Sequence, residues 1–488
     1  MKITVSVSIN AGDNTPVVAR EVFGIEREDL SAGNLGLHLA EARDLLAAVQ
    51  EEMVTGQAQA ALAGQAACPS CGAAHRHKDS RDIVVRTLFG TLRLASPRWW
   101  HCSCTPHKAA TFSPLAELLP ERVTPELAYL QAKFAGLASY GLSASLLAEI
   151  LPLGRRLHPA VLRRQVQAVA QRMEDELGPE QSGFIQTCPA QRAEMPRPDL
   201  PITVGIDGGF IHSAHQRSRR DGWFEVIAGK SIPAQGRSRC FAFVQTYDRK
   251  PKRRLYELLR SQGLADNQQI TFLTDGADDV RDLPLYLNPQ AEYYLDWFHI
   301  TMRLTVLAQL AKGPASASLL QHRGAWCEDP DDDLRHLQDD LGQVPHQLQR
   351  LKWFLWHGNV FHALQILGGL DFDLEVLAGA GDQYAKLYKA IREFHGYIAA
   401  NGSSIPNYGE RYRAGERIST GFTESAVNQV VSKRMVKKQQ MRWSPRGAHL
   451  LLQIRTRVLD DTLAEDFHRW YSGFTHTSPG PEELPAAA

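Results

Sequence analysis

The stretch VGIDGGFIHS, residues 204–213, places a single aspartate in a segment that otherwise has the apolar pattern of a buried strand. Asp207 is followed by two glycines, so the sequence predicts that the strand ends at this carboxylate. Charged side chains are rarely buried unless they are paired or bind a metal. The rest of the chain therefore has to supply a partner for Asp207.

A second apolar run, QITFLTDG at residues 269–276, ends in the same way at Asp275. Five strand-like runs lie between residues 202 and 298, and these two runs are the first and fourth. In a ribonuclease-H-like sheet the first and fourth strands are neighbours, which would bring the two carboxylates together. Like charges at that distance are unfavourable unless a divalent cation lies between them. Oxygen ligands with open water positions favour Mg²⁺ or Mn²⁺.

A third acid for such a site is expected from a late helix. The segment TGFTESAVNQVVSKRM, residues 420–435, predicts one helix that carries Glu424 in its first turn. Glu410 and Glu416 are alternatives, but they lie in a loop-like segment. Asp278 and Asp279 are alternatives to Asp275 that more often cap a helix. Two metals held by Asp207, Asp275 and Glu424 would support in-line attack on a phosphodiester.

Two further patterns lie close to these acids in the sequence. The segment LDWFHI, residues 295–300, predicts that Asp296 and His299 pair at the rim of the site, with a purely structural hydrogen bond as the alternative. The last acid is followed by a basic run that includes an aromatic residue, a combination suited to phosphates and bases. This run predicts DNA contacts by Lys433, Arg434, Lys437, Lys438, Arg442 and Trp443. Another basic run, residues 249–254, is either a phosphate-binding patch or a solvated surface.

Four of the seven cysteines form two close pairs, CPSC and CSC, on either side of a hairpin-like segment. Cys68, Cys71, Cys102 and Cys104 therefore predict a zinc-ribbon-like module with a structural Zn²⁺. The second pair has the less usual C-x-C spacing. His101 or His107 could replace one sulfur, and four unrelated thiols are the plainer alternative.

Residues 113–178 have the apolar period of helices. The segment 138–173 reads as helix, turn, helix, with Arg163 and Arg164 near the start of the second helix. A helix-turn-helix places its second helix in the major groove of DNA. An ordinary helical pair with solvated arginines explains the pattern equally well.

Composition limits the remaining choices. The 488 residues include 54 Lys+Arg and 54 Asp+Glu, so binding to nucleic acid has to depend on local patches. No apolar run is long enough to predict a transmembrane helix, and residues 1–10 lack the features of a signal peptide. An odd number of cysteines favours reduced thiols or a metal site. We expect a cytoplasmic bacterial protein, associated with the nucleoid and not with a membrane.

The sequence resembles DDE transposases of bacterial insertion sequences, in the Mutator-like group and most closely its Kra-type branch. The most specific match is the C-terminal segment 407–460, through Glu424-Ser425, Asn428, Arg434-Met435, Met441-Arg442-Trp443 and Gly447-Ala448. GIDGG, TDGADDVR and LKWFLWHGN are also similar to the family, and DWFH looks like its D-x-x-H signature.

The resemblance implies an α/β ribonuclease-H-like catalytic core with a large all-helical insertion, preceded by zinc-ribbon-like and helical DNA-binding modules. It implies Asp207, Asp275 and Glu424 as the catalytic triad, with two Mg²⁺ or Mn²⁺ per active site. The predicted segments are a strand and helix region (1–60), the zinc-ribbon-like module (61–112), the helical DNA-binding region (113–178), a linker (179–200), the first part of the core (201–300), the helical insertion (301–414), the C-terminal part of the core with the third acid (415–470) and a disordered tail (471–488).

The expected activity is metal-dependent cleavage and strand transfer at the terminal inverted repeats of an insertion sequence. The partners would be double-stranded repeat and target DNA, bound by a homo-oligomer. Two alternatives remain open: a structure-specific nuclease with the same metals, and a non-catalytic DNA-binding regulator derived from a transposase.

Overall fold

The computed structural model describes residues 1–9, 19–104, 110–153, 157–180, 190, 194–195, 201–214, 222–265, 267–276, 291–316, 330–378, 382–436 and 441–475. The chain divides into two compact units, one formed by Met1–Asp175 with Arg457–Ala488 and the other by Glu176–Thr456. Several predictions fall outside the described residues: His107, Asp278, Asp279, Lys437, Lys438, most of the linker and most of the tail. None of the described helices is long and apolar enough to cross a membrane.

The first unit begins with a two-stranded antiparallel hairpin and a long helix, followed by a three-stranded sheet and four helices. These elements are β1 (Lys2–Ser8), β2 (Ala19–Glu26), α1 (Leu39–Gly64), β3 (His77–Thr87), β4 (Gly90–Trp100), β5 (Thr111–Phe112), α2 (Pro114–Leu118), α3 (Pro125–Leu137), α4 (Tyr140–Ile150) and α5 (Pro159–Leu177).

Helix α5 shows why this part of the chain is helical. Leu162, Val166 and Ala170 recur every four residues and are fully buried, which is the core-facing stripe of an amphipathic helix. Arg163 and Arg164 fall on the opposite side and are exposed. The structure therefore leaves both arginines available to a partner, as the helix-turn-helix interpretation requires.

The second unit contains a five-stranded sheet formed by β6 (Ile202–His212), β7 (Trp223–Ile232), β8 (Arg239–Val244), β9 (Ile270–Thr274) and β10 (Glu292–Leu295). The strand order is β10-β9-β6-β7-β8. The β6–β7 and β7–β8 pairs are antiparallel, whereas β6–β9 and β9–β10 are parallel. The first and fourth strands of this unit are thus neighbours.

Strand β6 extends further than predicted. The prediction that Asp207 ends its strand is wrong, because residues 207–212 pair with residues 223–228 of β7 in an antiparallel ladder. Ile202, Val204 and Ile206 alternate along the strand and enter one apolar core. The odd-numbered positions, which include Asp207, therefore face the opposite side of the sheet.

Helices lie on the sheet and in a separate bundle. Helix α6 (Pro251–Ser261) contributes Leu255 and Leu259 to the same core as Val204. The bundle consists of α7 (Trp297–Ser316), α8 (Pro330–Trp356), α9 (Val360–Leu377), α10 (Asp382–Ala400) and α11 (Tyr408–Arg413), which share one apolar core.

The C-terminal part differs from the single helix predicted from Thr420 to Arg434. Helix α12 (Gly421–Val427) continues as a nine-residue π-helix, Asn428–Val436. Wide turns of this kind are rare and are frequent at functional sites. Helix α13 (Pro445–Leu459) follows the π-helix in sequence.

The last helix, α14 (Leu463–Trp470), belongs to the first unit. The rings of Phe467 and Phe474 lie 5.5 and 5.4 Å from the ring of Tyr129 on α3. Residues from Arg457 onward are thus grouped with the N-terminal unit, whereas the sequence assigned residues 415–470 to one segment of the core.

Candidate active site

The register of the sheet places Asp207 and Asp275 at matching positions along the neighbouring strands β6 and β9. The described parallel pairing of β6 with β9 ends at Gly205 and Leu273, and two residues further on the chain reaches Asp207 and Asp275. Neighbouring strands lie about 4.8 Å apart. The two carboxylates therefore leave adjacent strands side by side, at the carboxyl end of β9.

Helix α12, which carries the third acid, lies directly against β6. A Cβ atom at Gly205 would stand 1.8 Å from Oγ1 of Thr423, and one at Gly209 would stand 3.3 Å from Cγ1 of Val427. Both glycines share a strand face with Asp207, since side chains alternate along a strand. The glycines around Asp207 thus allow the helix that carries Glu424 to approach the strand.

Both of the other acids act electrostatically on Asp207. Burial raises the pKa of Asp207, and the charges of Asp275 and Glu424 raise it further, while the positive charge of His299 and a 2.7 Å hydrogen bond from the Gly208 N–H partly oppose the increase. Partial burial together with the charges of two other carboxylates is an unfavourable arrangement for ionised Asp207. A divalent cation would relieve it.

Asp296 is fully buried at the adjacent strand end, one residue after β10. Its Oδ1 accepts hydrogen bonds from the backbone N–H groups of Phe298 (3.0 Å) and Thr420 (2.8 Å). Its Oδ2 accepts from the Thr420 hydroxyl and lies 2.8 Å from Nδ1 of His299. The predicted acid–imidazole pair is therefore present, and its acid also joins β10 to the residue that precedes α12.

The hydrogen bonds between Asp296 and Thr420 continue to the backbone of Glu424. The carbonyl of Thr420 accepts a 3.0 Å hydrogen bond from the backbone N–H of Glu424. Burial lowers the pKa of His299, but the hydrogen bond and charge of Asp296, with the charges of Asp207 and Asp275, outweigh this effect and raise the pKa overall. Asp296 thus favours the protonated form of His299, and it positions both the imidazole and the start of α12.

Replacing Asp296 by asparagine is expected to destabilise the metal-free protein by about 2 kcal/mol, because a buried acceptor becomes a donor that faces His299 and Thr420. A histidine with a raised native pKa stabilises the fold below its unfolded pKa, about 6.5, and loses this effect as pH rises through the native value. The loss in D296N should therefore be larger at pH 5.5 than at pH 9. Urea unfolding at both pH values measures the difference, and an equal loss at both would contradict the ion pair.

The turn after Asp275 is supported by the helical bundle. The hydroxyl of Tyr397 on α10 donates a 2.8 Å hydrogen bond to the backbone carbonyl of Asp275. Gly276 has φ +90°, and a Cβ there would stand 2.8 Å from the side chains of Asn401 and Leu295. The bundle thus fixes the backbone at the second acid.

The four predicted cysteines converge in the first unit. The Sγ atoms of Cys68 and Cys104 are 3.5 Å apart, those of Cys71 and Cys102 are 3.4 Å apart, and all four lie within 4.8 Å of one another. Hydrogen bonds from the backbone of Ser70 and Cys71 lower the pKa of the Cys68 thiol to about 6. The cluster could hold a metal ion, so the C-x-C spacing does not prevent convergence.

His101 is not part of this cysteine cluster. Its ring stacks on Phe112 with centroids 4.6 Å apart. Among the described residues, the potential ligands in this module are therefore the four sulfurs.

The predicted DNA contacts separate into two groups. Arg434 and Trp443 are buried, with the guanidinium 5.5 Å from the indole ring, and the backbone of Trp443 bonds to His212 and Ala214 at the end of β6. Burial argues against the DNA contacts predicted for these two residues. Lys433 and Arg442 are exposed.

Sequence reasoning missed two structural residues near Glu424. Thr420 was predicted only as the start of a helix, whereas its backbone N–H and its hydroxyl donate hydrogen bonds to Asp296. Arg455 on α13 is buried and donates hydrogen bonds to the carbonyls of Gln429 (3.1 Å) and Val430 (2.7 Å) in the π-helix. Burial lowers the pKa of Arg455 to about 10. An arginine in the apolar segment HLLLQIRTRVL was the available signal.

In comparisons with known proteins, no family model matches this sequence, and no curated protein matches it.

Proposed function

We propose that this protein is an insertion-sequence transposase that cleaves and joins DNA at terminal inverted repeats by a two-metal mechanism. The placement of the three acids carries the proposal: Asp207 and Asp275 follow the paired segments of neighbouring strands, the helix that carries Glu424 lies against β6, and the charges of Asp275 and Glu424 both act on Asp207.

The sheet topology supports a ribonuclease-H-like core. In chain order within the second unit the strands lie 5-4-1-2-3, with the first three antiparallel and the last two parallel to the first. The bundle α7–α11 enters the chain between β10 and α12, as a helical insertion would.

The donor set fits hard divalent cations. Mg²⁺ and Mn²⁺ prefer carboxylate oxygens, which are the ligands that Asp207, Asp275 and Glu424 offer. The Glu424 side chain is exposed. The bound ions would supply an activated water or 3′-hydroxyl and charge stabilisation for the leaving oxygen.

The chain's own groups would prepare the site for DNA. The raised pKa of His299 favours its protonated form, and a protonated imidazole would partly offset the repulsion between the aspartates and an incoming phosphate. Lys433 and Arg442 expose further positive charge in the segment after Glu424. Arg163 and Arg164 on α5 would bind the repeat DNA, and two ends would require a homo-oligomer of a cytoplasmic, nucleoid-associated protein.

We also assign zinc to the cysteine cluster. Tetrahedral zinc with Zn–S bonds of about 2.3 Å separates the sulfurs by about 3.8 Å, and the four sulfurs lie within 4.8 Å of one another. The expected result is one zinc per chain, lost in Cys104→Ser, with unfolding of the β3–β5 module at a lower temperature. Elemental analysis and thermal denaturation measure both effects. Cys240→Ser is the matched control, since Cys240 lies in β8, and equal zinc loss there would contradict the assignment.

The proposed activity is tested on labelled DNA that carries the ends of the element. Magnesium or manganese should support nicking and joining, and a chelator should abolish both reactions. Cleavage without joining would instead favour the nuclease. Tight binding of the ends without cleavage under any metal condition would favour the regulator.

A further inference from the structure

Arg303 lies on α7, one helical turn beyond His299, and its side chain is exposed. Residues four apart on a helix lie on the same side of it. The His299 ring bonds to Asp296. The charges of Asp207 and Asp275 both act on this ring. Arg303 therefore lies on the side of α7 that is next to the proposed metal site.

The ring of Tyr397 joins Arg303 to the second acid. The guanidinium carbon of Arg303 lies 4.1 Å from the centre of this ring, within the range of a cation–π contact. The hydroxyl of the same ring donates the 2.8 Å hydrogen bond to the carbonyl of Asp275. Burial raises the pKa of Tyr397, the charge of Arg303 opposes this increase and the charge of Asp275 adds to it. Arg303 is thus one phenol ring away from the backbone of Asp275.

A second arginine on a tyrosine ring shows the difference between a structural contact and an open one. The guanidinium carbon of Arg411 lies 3.9 Å from the ring centre of Tyr294. Its nitrogens also pair with Glu292 at 3.3 Å and with Glu416. Arg303 has no such pair, because no carboxylate of the described residues lies at ion-pair distance from it. A cation–π contact uses no particular N–H group, so the donors of Arg303 remain available to an external anion.

We propose that Arg303 binds a phosphate of the DNA strand that enters the site of Asp207 and Asp275, with the Tyr397 ring holding the guanidinium in place. Arginine matches a phosphate with two parallel hydrogen bonds, and contacts of this kind fix the register of a protein on its DNA. This inference rests on the proposed function, which brings a strand to the acids. Successive phosphates advance by about 3.4 Å along one strand of B-DNA. A cation one ring length from Asp275 would therefore meet a phosphate within about two nucleotides of the scissile bond.

Binding of labelled element ends is measured by fluorescence anisotropy at several salt concentrations, with Ca²⁺, which takes oxygen ligands as Mg²⁺ does. Arg303→Gln should weaken binding about tenfold. It should also lower the slope of log affinity against log salt concentration by about one, because one phosphate loses its cation. Arg303→Lys keeps the charge and should restore the slope but only part of the affinity. An unchanged slope in Arg303→Gln would overturn the proposal.

Arg392→Gln is the matched control. Arg392 is exposed on α10 and donates a 3.4 Å hydrogen bond to the hydroxyl of Tyr388. Its affinity and salt slope should equal those of the wild type. Equal losses in Arg392→Gln and Arg303→Gln would show a general effect of surface charge and would reject a specific site.

Substitutions at Tyr397 test the role of the ring. Tyr397→Phe and Tyr397→Leu both lose the hydrogen bond to Asp275, but only phenylalanine keeps an aromatic ring against Arg303. The leucine variant should therefore bind the element ends more weakly than the phenylalanine variant. Equal affinities would contradict the holding role of the ring.

A neutral phosphate analogue locates the contact. Element ends are prepared with a single methylphosphonate at each position within about two nucleotides of the terminal nucleotide, the range expected from the phosphate spacing. At one position the wild type should lose about tenfold in affinity, and Arg303→Gln should lose nothing further, because the two changes remove the same contact. Additive losses at every position would overturn the proposal.

These binding measurements do not require cleavage, so the two proposals can fail separately. A wild type that cleaves DNA while its losses are additive at every phosphate would refute the role of Arg303 alone. A wild type that couples Arg303 to one phosphate but cleaves with no metal would support that contact and refute the transposase.

Discussion

Glu424→Gln is expected to lower metal-dependent DNA cleavage by at least about a thousandfold, roughly 4 kcal/mol of transition-state stabilisation. Glutamine has the same shape but lacks the negative charge that would help to hold a divalent cation opposite Asp207 and Asp275. The side chain is exposed in the first turn of α12, so folding should be unaffected. Cleavage of labelled element ends at saturating Mg²⁺ measures the loss.

Glu410→Gln is the matched control for this substitution. Glu410 is also exposed and lies in the first turn of a helix, α11, whereas Glu424 is one of the charges that raise the pKa of Asp207. Its cleavage rate should equal that of the wild type. A wild-type rate in Glu424→Gln, or loss of cleavage in Glu410→Gln, would remove Glu424 from the site.

Direct coordination of the metal ion by Asp275 can be tested by replacing this carboxylate. In Asp275→Cys, activity with Mg²⁺ should be lost, and Mn²⁺ should restore part of it, because the softer thiolate binds Mn²⁺ better than Mg²⁺. Equal loss with both metals would indicate that Asp275 does not contact the ion.

Gly205→Ala is expected to destabilise the second unit by about 3 kcal/mol and to slow cleavage by about a hundredfold. The added Cβ would stand 1.8 Å from Oγ1 of Thr423 and 2.9 Å from the ring of Phe422, so α12 has to move away from β6. A shift of about 1 Å in a catalytic group can lower the rate a hundredfold. Denaturant unfolding and cleavage assays measure the two effects.

Substitutions at Thr423 identify the clash. The hydroxyl of Thr423 is buried and has no hydrogen-bond partner within the described part of the chain, so Thr423→Ala should be nearly neutral. Added to Gly205→Ala, it should restore most of the stability and rate, because the clashing atom is removed. Thr423→Val keeps a methyl group in that place and should not restore either. Equal recovery with both would show that crowding at this atom is not the cause.

Several features were accessible from the sequence because they depend on local pattern. The alternation of apolar residues identified the five strands of the second unit, and the cysteine spacing identified four sulfurs that converge. Asp275 directly follows its strand, as predicted, since the apolar run stops there. The Asp296–His299 pair also follows from local spacing, because residues three apart on a helical turn lie on the same side.

Other features depend on contacts between distant segments, which a local pattern does not contain. The glycines beside Asp207 predicted the end of a strand, whereas the strand continues and the glycines make room for α12. Arg434 and Trp443 had the composition of a DNA-binding run, yet packing against the end of β6 buries them.

The sequence by itself determined which acids, cysteines and strands the protein has, because residue type and period are local properties. Only the tertiary structure decided that Asp207 and Asp275 occupy matching positions on neighbouring strands, because this depends on the parallel register of β6 and β9. It also decided that the helix carrying Glu424 lies against β6, through the contact of α12 with Gly205 and the bonds from Asp296 to Thr420. Register and close approach are set by side-chain packing over hundreds of residues, and packing exists only in the folded chain.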